Sequence, residues 1–329
     1  MKIKIAITIG DAAGIGPEIA IKVALDATVT SLCDVVIIGP EDLVRISAKK
    51  FAPGVELVKF TEQESVNSRI FYDDFDKLTY TGDVYAGEST AEAGLAAYEG
   101  VRQTVLAVLA GKYDAIVTAP VSKESVNMAG ITFQGHTELV AELCEVDNFC
   151  MMQSDEGLRV AFASCHVPLM EVRNCLSKAG IVRTIKLLDE AARADGVAKP
   201  LIAIAGVNPH AGEGGYMGRE EIDMVIPAMA EAAADGILLE GPFPADTLFI
   251  ESVRQRFDGI VAMYHDQGHI PFKMLAFDKG VNSTLGLPII RTSVDHGTAF
   301  NIAWQGIADT GSLLQAVKVA VKRVKLQRN

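Results

Sequence analysis

The stretch MKIKIAITIGDAAGIGPEI, Met1 to Ile19, joins an apolar strand pattern to a glycine turn and to the start of a helix. Ile3–Ile9 has the apolar residues of a buried strand, and Pro17 suits the first turn of the helix that follows. Short apolar runs then alternate with longer segments of helical period along the chain. This order predicts βαβ units, and therefore an α/β protein with a mainly parallel sheet.

The length of 329 residues exceeds the size at which single hydrophobic cores usually stop growing, which predicts two domains. The chain is predicted to cross between them near residues 121–138 and 280–288, where glycine and polar residues accumulate. Further strands are predicted at Asp34–Ile38, Ala115–Thr118, Arg159–Ala163, Leu201–Val207 and Gly259–Tyr264, and helices at Glu88–Ala110, Arg183–Ala194 and Glu220–Asp235.

The charge balance excludes some partners. A formal net charge of −12 argues against nucleic-acid binding, which needs a basic surface to displace phosphate counterions. An anionic substrate needs only a local basic pocket. The five cysteines are odd in number and lack a C-x-x-C pair, so we expect reduced thiols and a cytoplasmic protein. We find no signal-peptide pattern and no apolar run long enough for a membrane span, and we expect no membrane partner.

Three of the six histidines, His166, His210 and His265, follow predicted strands at nearly the same distance. The carboxyl ends of parallel strands form one edge of a sheet, where ligands commonly bind, so these imidazoles can converge there. Three imidazoles that leave a fourth position open are a common catalytic metal site. The alternative is that each histidine only forms a hydrogen bond with a strand end.

His265 and His269 lie four residues apart in AMYHDQGHIPFK, the spacing found in helical zinc motifs of the His-Glu-x-x-His kind. That motif needs an uninterrupted helix, and Gly268 and Pro271 predict that no helix continues through this segment. His265 is therefore the predicted ligand, and His269 is predicted to lie outside the metal shell.

Two segments suit anions. The turn with Gly10, Gly14 and Gly16 could serve a nucleotide or be only a tight structural turn, since its spacing is not G-x-G-x-x-G. In GHTEL, Thr137 is predicted to cap a helix whose free N–H groups suit a phosphate. Further along the chain, three residues could bind one anion through an ammonium, an amide and a guanidinium group: Lys273, Asn282 and Arg291. The alternative is that Lys273 and Arg291 are solvated surface charges.

Taken together, these motifs resemble the 4-hydroxythreonine-4-phosphate dehydrogenase family of pyridoxal phosphate biosynthesis. The resemblance covers nearly the whole chain. It runs in order through GDAAGIGPEI, VTAPVSKE, GHTE, CHVPL, GVNPHAGEGG, GPFPADT, AMYHDQG and GVNSTLGLPIIRTSVDHGTA.

The resemblance implies two α/β/α domains like those of isocitrate and isopropylmalate dehydrogenases, with the active site in the interdomain cleft. Residues 1–128 plus 285–329 would form the first domain, with both termini and the nucleotide loop. Residues 129–284 would form the second domain, with the metal-binding histidines and the dimer contacts. A homodimer with its active site near the subunit interface is a further expectation.

The resemblance also implies NAD or NADP as cofactor, and one divalent metal: Zn, Mg, Mn or Co. The implied residues are His166, His210 and His265 for the metal; His136, Thr137, Lys273, Asn282 and Arg291 for the substrate; and Gly14, Gly16, His296, Gly297, Thr298 and Ala299 for the nucleotide.

Two features depart from the family pattern. Ala12 stands where the family commonly has proline, which affects the stiffness of that turn. The segment YHDQGHIPFKML, with His269, looks like a second branch that is similar to D-threonate or D-erythronate 4-phosphate dehydrogenases. Both pyridoxine biosynthesis and carbohydrate metabolism are therefore open as its setting.

The expected reaction is metal-dependent oxidation, with decarboxylation, of a 4-phosphorylated four-carbon 3-hydroxy acid. We expect Lys273 to contact the substrate or to transfer a proton, and Asp246 and Asp266 to orient ligand imidazoles. The alternatives are a metal-dependent hydrolase of a phosphate ester and a non-catalytic protein that binds the metabolite.

Overall fold

Strands and helices alternate along the chain in this computed structural model, which describes residues 2–61, 69–155, 157–276 and 279–328. The strands are β1 Lys4–Thr8, β2 Asp34–Ile38, β3 Glu56–Lys59, β4 Arg69–Asp73, β5 Ala115–Thr118, β6 Cys150–Asp155, β7 Leu158–Phe162, β8 Leu201–Ala205, β9 Leu238–Phe243, β10 Gly259–Ala262, β11 Val281–Leu285 and β12 Ile290–Val294.

The helices include α1 Gly16–Ala24, α2 Ala27–Leu32, α3 Glu41–Phe51, α4 Ala91–Leu109, α5 Lys123–Met128, α6 His136–Leu143 and α7 Val172–Cys175. They continue with α8 Lys178–Ala194, α9 Ile226–Ala234, α10 Ala245–Leu248, α11 Glu251–Arg254, α12 His265–Ala276 and α13 Gly311–Arg328. Short 3-10 or π segments occupy Leu169–Glu171, Pro209–Gly215, Glu221–Val225 and Phe300–Ile302. The α/β class predicted from the sequence is confirmed.

The chain divides into two compact units: Met1–Asp147 with Leu287–Asn329, and Asn148–Gly286. The first unit is discontinuous, because its last strand and its last helix come from the C-terminal segment. Residues 129–147, predicted for the second domain, belong to the first unit, and residues 285–286, predicted for the first domain, belong to the second unit. The larger of these two differences arises because α6 packs against α4 and contributes Leu139 and Val140 to the first unit's core.

The first unit has a fully parallel sheet in the order β3-β4-β2-β1-β5-β12. One face packs against α4 and α6 through an apolar cluster that includes Ala6, Ile116 and Val105. The other face carries Ile5 and Ile7, both fully buried, and lies against α1 and α13. Covering both faces explains why the strands are continuous apolar runs.

The register of the central strands places polar residues together at one edge. Thr118, at the carboxyl end of β5, lies opposite Thr8 of β1 and Ser293 of β12. All three side chains are buried. The carboxyl ends of parallel strands commonly border ligand sites, so this polar edge is a candidate position for a ligand.

The second unit has the strand order β11-β6-β7-β10-β8-β9, in which β7, β10, β8 and β9 are parallel and β6 is antiparallel to both neighbours. Its sheet also has two covered faces. Ile202 and Val261 pack with residues of α8 and α9, whereas Val160 and Ile260 pack with α12 and nearby helices. The three predicted histidines follow the parallel strands of this unit.

In the part of the chain that the structure describes, no helix is both long and apolar enough to cross a membrane. All five cysteines are free thiols.

Candidate functional site

Three neighbouring strand ends carry the predicted metal ligands. Strands β7, β10 and β8 are adjacent and parallel, so their carboxyl ends lie at the same edge of the sheet. His166 follows β7, His265 begins α12 directly after β10, and His210 follows β8. The strand-end placement predicted from the sequence is therefore found in the fold.

His166 and His265 come together at this edge. Their ring centroids are 5.6 Å apart, and both imidazoles line a cavity of about 270 Å³ with Cys165, Tyr264 and Asp266. Asp266 Oδ1 lies 2.7 Å from Nδ1 of His265. Because a carboxylate accepts, Nδ1 is the protonated nitrogen and Nε2 keeps its lone pair for a ligand. Asp266 thus lies where the sequence predicted an orienting carboxylate.

The spacing of these two imidazoles suits one metal ion. With metal–nitrogen distances of about 2.0–2.1 Å, two rings on one ion have centres roughly 5–6 Å apart, and the observed separation is 5.6 Å. Within the described ranges, no three His, Cys, Asp or Glu side chains form a group that could hold a metal. The structure therefore unites two of the predicted ligands, and leaves His210 exposed on its own turn.

The helix α12 corrects one prediction. It runs from His265 to Ala276 through Gly268 and Pro271, where the sequence predicted no continuing helix. A side chain on Gly268 would place a Cβ 2.6 Å from the ring of Phe162 and 2.9 Å from Cβ of Ala262. Glycine therefore lets the helix lie directly on β7 and β10, and the burial gained there outweighs its low helix propensity and the N–H that proline lacks.

His269 is buried in a stack of rings. Its imidazole lies 3.9 Å from that of His265, at an angle of 10°, and 4.2 Å from the ring of Phe162. Its Nδ1 lies 3.1 Å from the carbonyl oxygen of His265. Burial lowers the pKa of His269 to about 4, with repulsion from a protonated His265 as the next cause, so the ring is neutral at pH 7. Nearly parallel rings keep their in-plane lone pairs in two separate, nearly parallel planes, so the two imidazoles do not converge on one ion.

A second group of predicted residues lies in the first unit, around Arg291 of β12. This side chain is 3% exposed and its Nη2 donates to Oγ1 of Thr118 at 3.0 Å. Burial lowers the pKa of Arg291 to about 10. It also lowers the pKa of His136 to about 3, with a further contribution from the Arg291 charge. An anion would stabilise the guanidinium here, because it offsets the loss of water.

His136 begins α6, and its Nε2 is buried without a hydrogen-bond partner among the described residues. Thr137 was predicted to cap this helix, but it is the second helical residue and the N-cap is Gly135. Because Gly135 has no side chain to accept their hydrogen bonds, the first N–H groups of α6 have no side-chain cap. A helix start without a side-chain cap, a buried guanidinium and a neutral imidazole together favour an anion such as a phosphate.

The remaining predicted substrate and catalytic residues lie in the second unit. Lys273 is half-buried and lies two turns after His265 on the same face of α12. Asn282 lies on β11, with Nδ2 3.3 Å from the sulfur of Met151. Asp246 is exposed in the first turn of α10. Of the two carboxylates predicted to orient an imidazole, Asp266 is the one seen beside a ring.

The glycine turn is packed against the chain itself. Gly14 and Gly16 are buried, and a Cβ on Gly14 would lie 3.0 Å from Thr298. The N–H of Ile15 donates to the carbonyl oxygen of Thr298 at 2.9 Å. These contacts favour the structural-turn alternative for the glycines. The segment His296–Ala299 is partly or fully exposed, and so remains open to a ligand.

The sequence patterns do not identify two buried carboxyl groups. Glu221 supports the turn that carries His210, and Asp11 is fully buried in the glycine turn. The cluster of glycines around His210 was a signal for unusual backbone there. The acidic partner eleven residues later had no local signal, because its role depends on tertiary contacts.

Asp11→Asn tests the glycine turn. Oδ1 of Asp11 accepts from the N–H of Ala13 at 2.9 Å, and the carboxyl also interacts with the side chain of Ser125 and the backbone of Ser122. Burial raises the pKa of Asp11, so the folded chain holds this proton more tightly than the unfolded chain does. The carboxyl therefore weakens the fold as pH rises above its unfolded pKa of about 4.

Asparagine keeps an oxygen for Ala13 and removes the titration. We expect the difference in Tm between Asp11→Asn and the parent to grow in favour of the variant between about pH 4 and pH 7. Thermal unfolding at several pH values measures it. Asp309→Asn, an exposed residue with a similar turn bond to Gly311, is the control. A Tm difference that does not change with pH contradicts the interpretation.

Comparisons with known proteins show which family this chain resembles over most of its length. The family model described as "Pyridoxal phosphate biosynthetic protein PdxA" matches residues 31–320. A 4-hydroxythreonine-4-phosphate dehydrogenase of Desulforapulum autotrophicum is 40% identical, with 96% of this chain and 94% of that protein covered. A D-threonate 4-phosphate dehydrogenase of Salmonella typhimurium is 42% identical, with coverage of 97% and 98%.

A crystal structure of a 4-hydroxythreonine-4-phosphate dehydrogenase from Klebsiella pneumoniae is similar to the whole chain. The TM-score is 0.86, the sequence identity is 40%, and 98% of each chain is covered. The similar proteins thus bear the names of two different substrates.

Proposed function

This chain belongs to the PdxA family of pyridoxal phosphate biosynthetic proteins, and from that premise we propose that it is a dehydrogenase of a 4-phosphorylated four-carbon 3-hydroxy acid. The relatives' names support oxidation of a phosphorylated hydroxy acid. The observation that carries the proposal is that the imidazoles of His166 and His265 line one cavity, with the carboxylate of Asp266 hydrogen-bonded to His265.

His166 and His265 would hold the divalent ion, which is Zn, Mg, Mn or Co, and the family resemblance adds His210 as the third ligand. When bound, such an ion lowers the pKa of a substrate hydroxyl and stabilises negative charge on oxygen. Asp266 keeps the proton on Nδ1 of His265, so that Nε2 is the ligating nitrogen. Lys273, on the same helix face, would hold or move a proton at the substrate.

The phosphate end of the substrate would bind Arg291 and the start of α6, with His136 and Thr137. Support comes from the buried guanidinium and from the unpartnered Nε2 of His136. A nicotinamide nucleotide, NAD or NADP, would accept the hydride. We assign its contacts to His296–Ala299 and give Gly14 and Gly16 the role of supporting that segment through Thr298. The 3-keto acid formed by oxidation would then lose CO₂.

A homodimer belongs to the same proposal. The second unit exposes several large apolar side chains, which a subunit interface would cover. They include Leu169, Met170, Tyr216, Ile270 and Met274. Sedimentation velocity of the purified protein tests this part directly.

The substrate assignment favours D-threonate or D-erythronate 4-phosphate over 4-hydroxythreonine 4-phosphate, on the resemblance of the YHDQGHIPFKML segment to that branch. The experiment is a panel of these acids, with and without the 2-amino group, tested with NAD and with NADP and followed by the absorbance of the reduced nucleotide. We expect kcat/KM to be about tenfold or more higher for the acids without the amino group.

A strong preference for the 2-amino compound overturns this substrate assignment. Phosphate release without nucleotide reduction identifies a hydrolase instead. Metal and substrate binding without any product identifies a non-catalytic protein.

A further inference from the structure

The turn that carries His210 has a rare backbone. All five residues from 210 to 214 have positive φ, with values of 56°, 51°, 79°, 43° and 67°. Three of them are not glycine: His210, Ala211 and Glu213. A Cβ in this region approaches its own carbonyl oxygen too closely, and so a left-handed run persists only where the surroundings hold it.

Glu221 supplies that support. Its side chain is 2% exposed, and Oε1 accepts from the backbone N–H of Val207 at 2.8 Å and from that of Asn208 at 2.7 Å. Oε2 accepts from the side-chain amide of Asn208 at 3.0 Å. All these donors lie on the two residues that lead into the turn. One buried carboxylate thereby fixes the direction in which the chain enters it.

The turn also lies directly against this carboxylate. A Cβ on Gly212 would overlap Oε2 of Glu221, and a Cβ on Gly206 would lie 2.8 Å from Cα of Ala211. Both glycines therefore allow a close approach that no other residue permits. The left-handed turn therefore packs closely against Gly206, Asn208 and Glu221.

Glu220 provides a natural comparison. Its carboxylate accepts from the side-chain amide of Asn208 at 2.7 Å and from Nε of Arg173 at 2.7 Å. Among the described residues, the backbone N–H groups of residues 207 and 208 donate to Glu221 and not to Glu220. Adjacent glutamates thus share one partner, Asn208, but only Glu221 holds the backbone.

We propose that Glu221 is a positioning residue that acts through the left-handed turn to fix the imidazole of His210. The proposal rests on the proposed function, in which His210 is a metal ligand. The imidazole is exposed on the turn, so its direction depends on the backbone beneath it. Residues that orient a ligand in this way typically contribute about 10–100-fold to metal affinity or activity.

Glu221→Gln tests the proposal with minimal change in shape. Glutamine has one accepting oxygen instead of two, because its amide nitrogen cannot accept a hydrogen bond. Either the backbone N–H groups of Val207 and Asn208 or the side-chain amide of Asn208 therefore lose their acceptor. We expect the apparent Kd for Co²⁺, measured by competition with a chromophoric chelator, to rise about 10–100-fold. The visible absorption of bound Co²⁺, which reports the identity of its ligands, should change as it does in His210→Ala.

Glu220→Gln is the matched control, and it should keep the Co²⁺ spectrum and affinity of the parent. Hydrogen exchange, without metal, supplies an independent measurement, in which the amides of Val207, Asn208 and residues 210–214 should exchange faster in Glu221→Gln only. If Glu221→Gln does not fold, Glu221→Asp, which keeps the charge but shortens the reach, takes its place.

The outcomes separate the two proposals. If hydrogen exchange in the folded Glu221 variant is the same as in the parent, the positioning role is overturned. It is also overturned if His210→Ala weakens Co²⁺ binding but the Glu221 variant keeps the parent's Co²⁺ spectrum and affinity. If the parent binds no metal, or if His210→Ala binds it equally well, the proposed function fails. Exchange at residues 207–214 then decides the role of Glu221 by itself.

Discussion

His210→Ala is expected to lower metal-dependent turnover by at least about 10²–10³-fold, the cost of removing a strong electrostatic stabiliser from an active site. The His210 side chain is exposed, and Glu221 accepts hydrogen bonds from the backbone just before the turn, so we expect the variant to fold. Turnover and the Kd for Co²⁺ or Zn²⁺ are measured on the same preparation. We expect both to deteriorate together, because the proposed role of this imidazole is to bind the metal.

Glu213→Ala is the matched control, because Glu213 is also exposed and has the same left-handed backbone in the same turn. It should keep the parent's metal affinity. Parental turnover in His210→Ala, or in protein stripped of metal by a chelator, would remove the basis of the proposed mechanism. A loss in both variants would instead assign the effect to the turn rather than to the imidazole.

Arg291→Lys is expected to lower kcat/KM for the phosphorylated acid by about 10²-fold, with most of the effect in KM. Hydrogen bonds to charged groups contribute about 1.5–3 kcal/mol each, and lysine cannot reproduce the forked donors of a guanidinium. Arg291 is buried and donates to Thr118, so its geometry is fixed by the sheet. The KM for the nucleotide should stay within about twofold, because the assigned nucleotide contacts lie elsewhere.

The matched control for this change is Arg69→Lys, on β4 of the same sheet, where the guanidinium is partly exposed and paired with Glu56. It should leave the kinetics unchanged. Steady-state kinetics with both substrates varied, together with Tm, separates lost binding from lost folding. An equal rise in KM for nucleotide and acid would contradict a specific phosphate contact.

Much of the fold follows from local sequence patterns. Asp34–Ile38 and Ala115–Thr118 were predicted to the residue, because buried parallel strands are continuous apolar runs bounded by turn residues. The strand ends then located the histidines, since parallel strands place their carboxyl ends at one edge. The pairing of His166 with His265 is a direct consequence of the adjacency of β7 and β10.

The features that were missed depend on contacts between distant residues. Gly268 and Pro271 disfavour a helix locally, but Gly268 is also the residue that lets α12 touch Phe162. Threonine is a favourable N-cap residue, yet Gly135 is the N-cap because α6 already begins at His136, one residue before Thr137. Local propensity is a weak prior wherever packing decides the outcome.

The same limit applies to the glycine turn. Gly14 and Gly16 could serve a phosphate or a close packing contact, and spacing does not distinguish these roles. Thr298, nearly three hundred residues later in the chain, is the neighbour that favours packing. Glu221 was missed for the same reason, because its partners become neighbours only in the folded unit.

The discontinuity of the first unit affects the order in which the chain acquires structure during synthesis. The strand β5 is fully buried between β1 and β12, but β12 and α13 lie in the last segment, Leu287–Asn329. Ribosomes add about 5–20 residues per second, so on the order of 10 s separates Asp147 from the residues that complete this sheet. During that interval β5 is an apolar edge strand, the kind of surface that chaperones protect. The second unit, continuous from Asn148 to Gly286, can finish folding on the ribosome before the first.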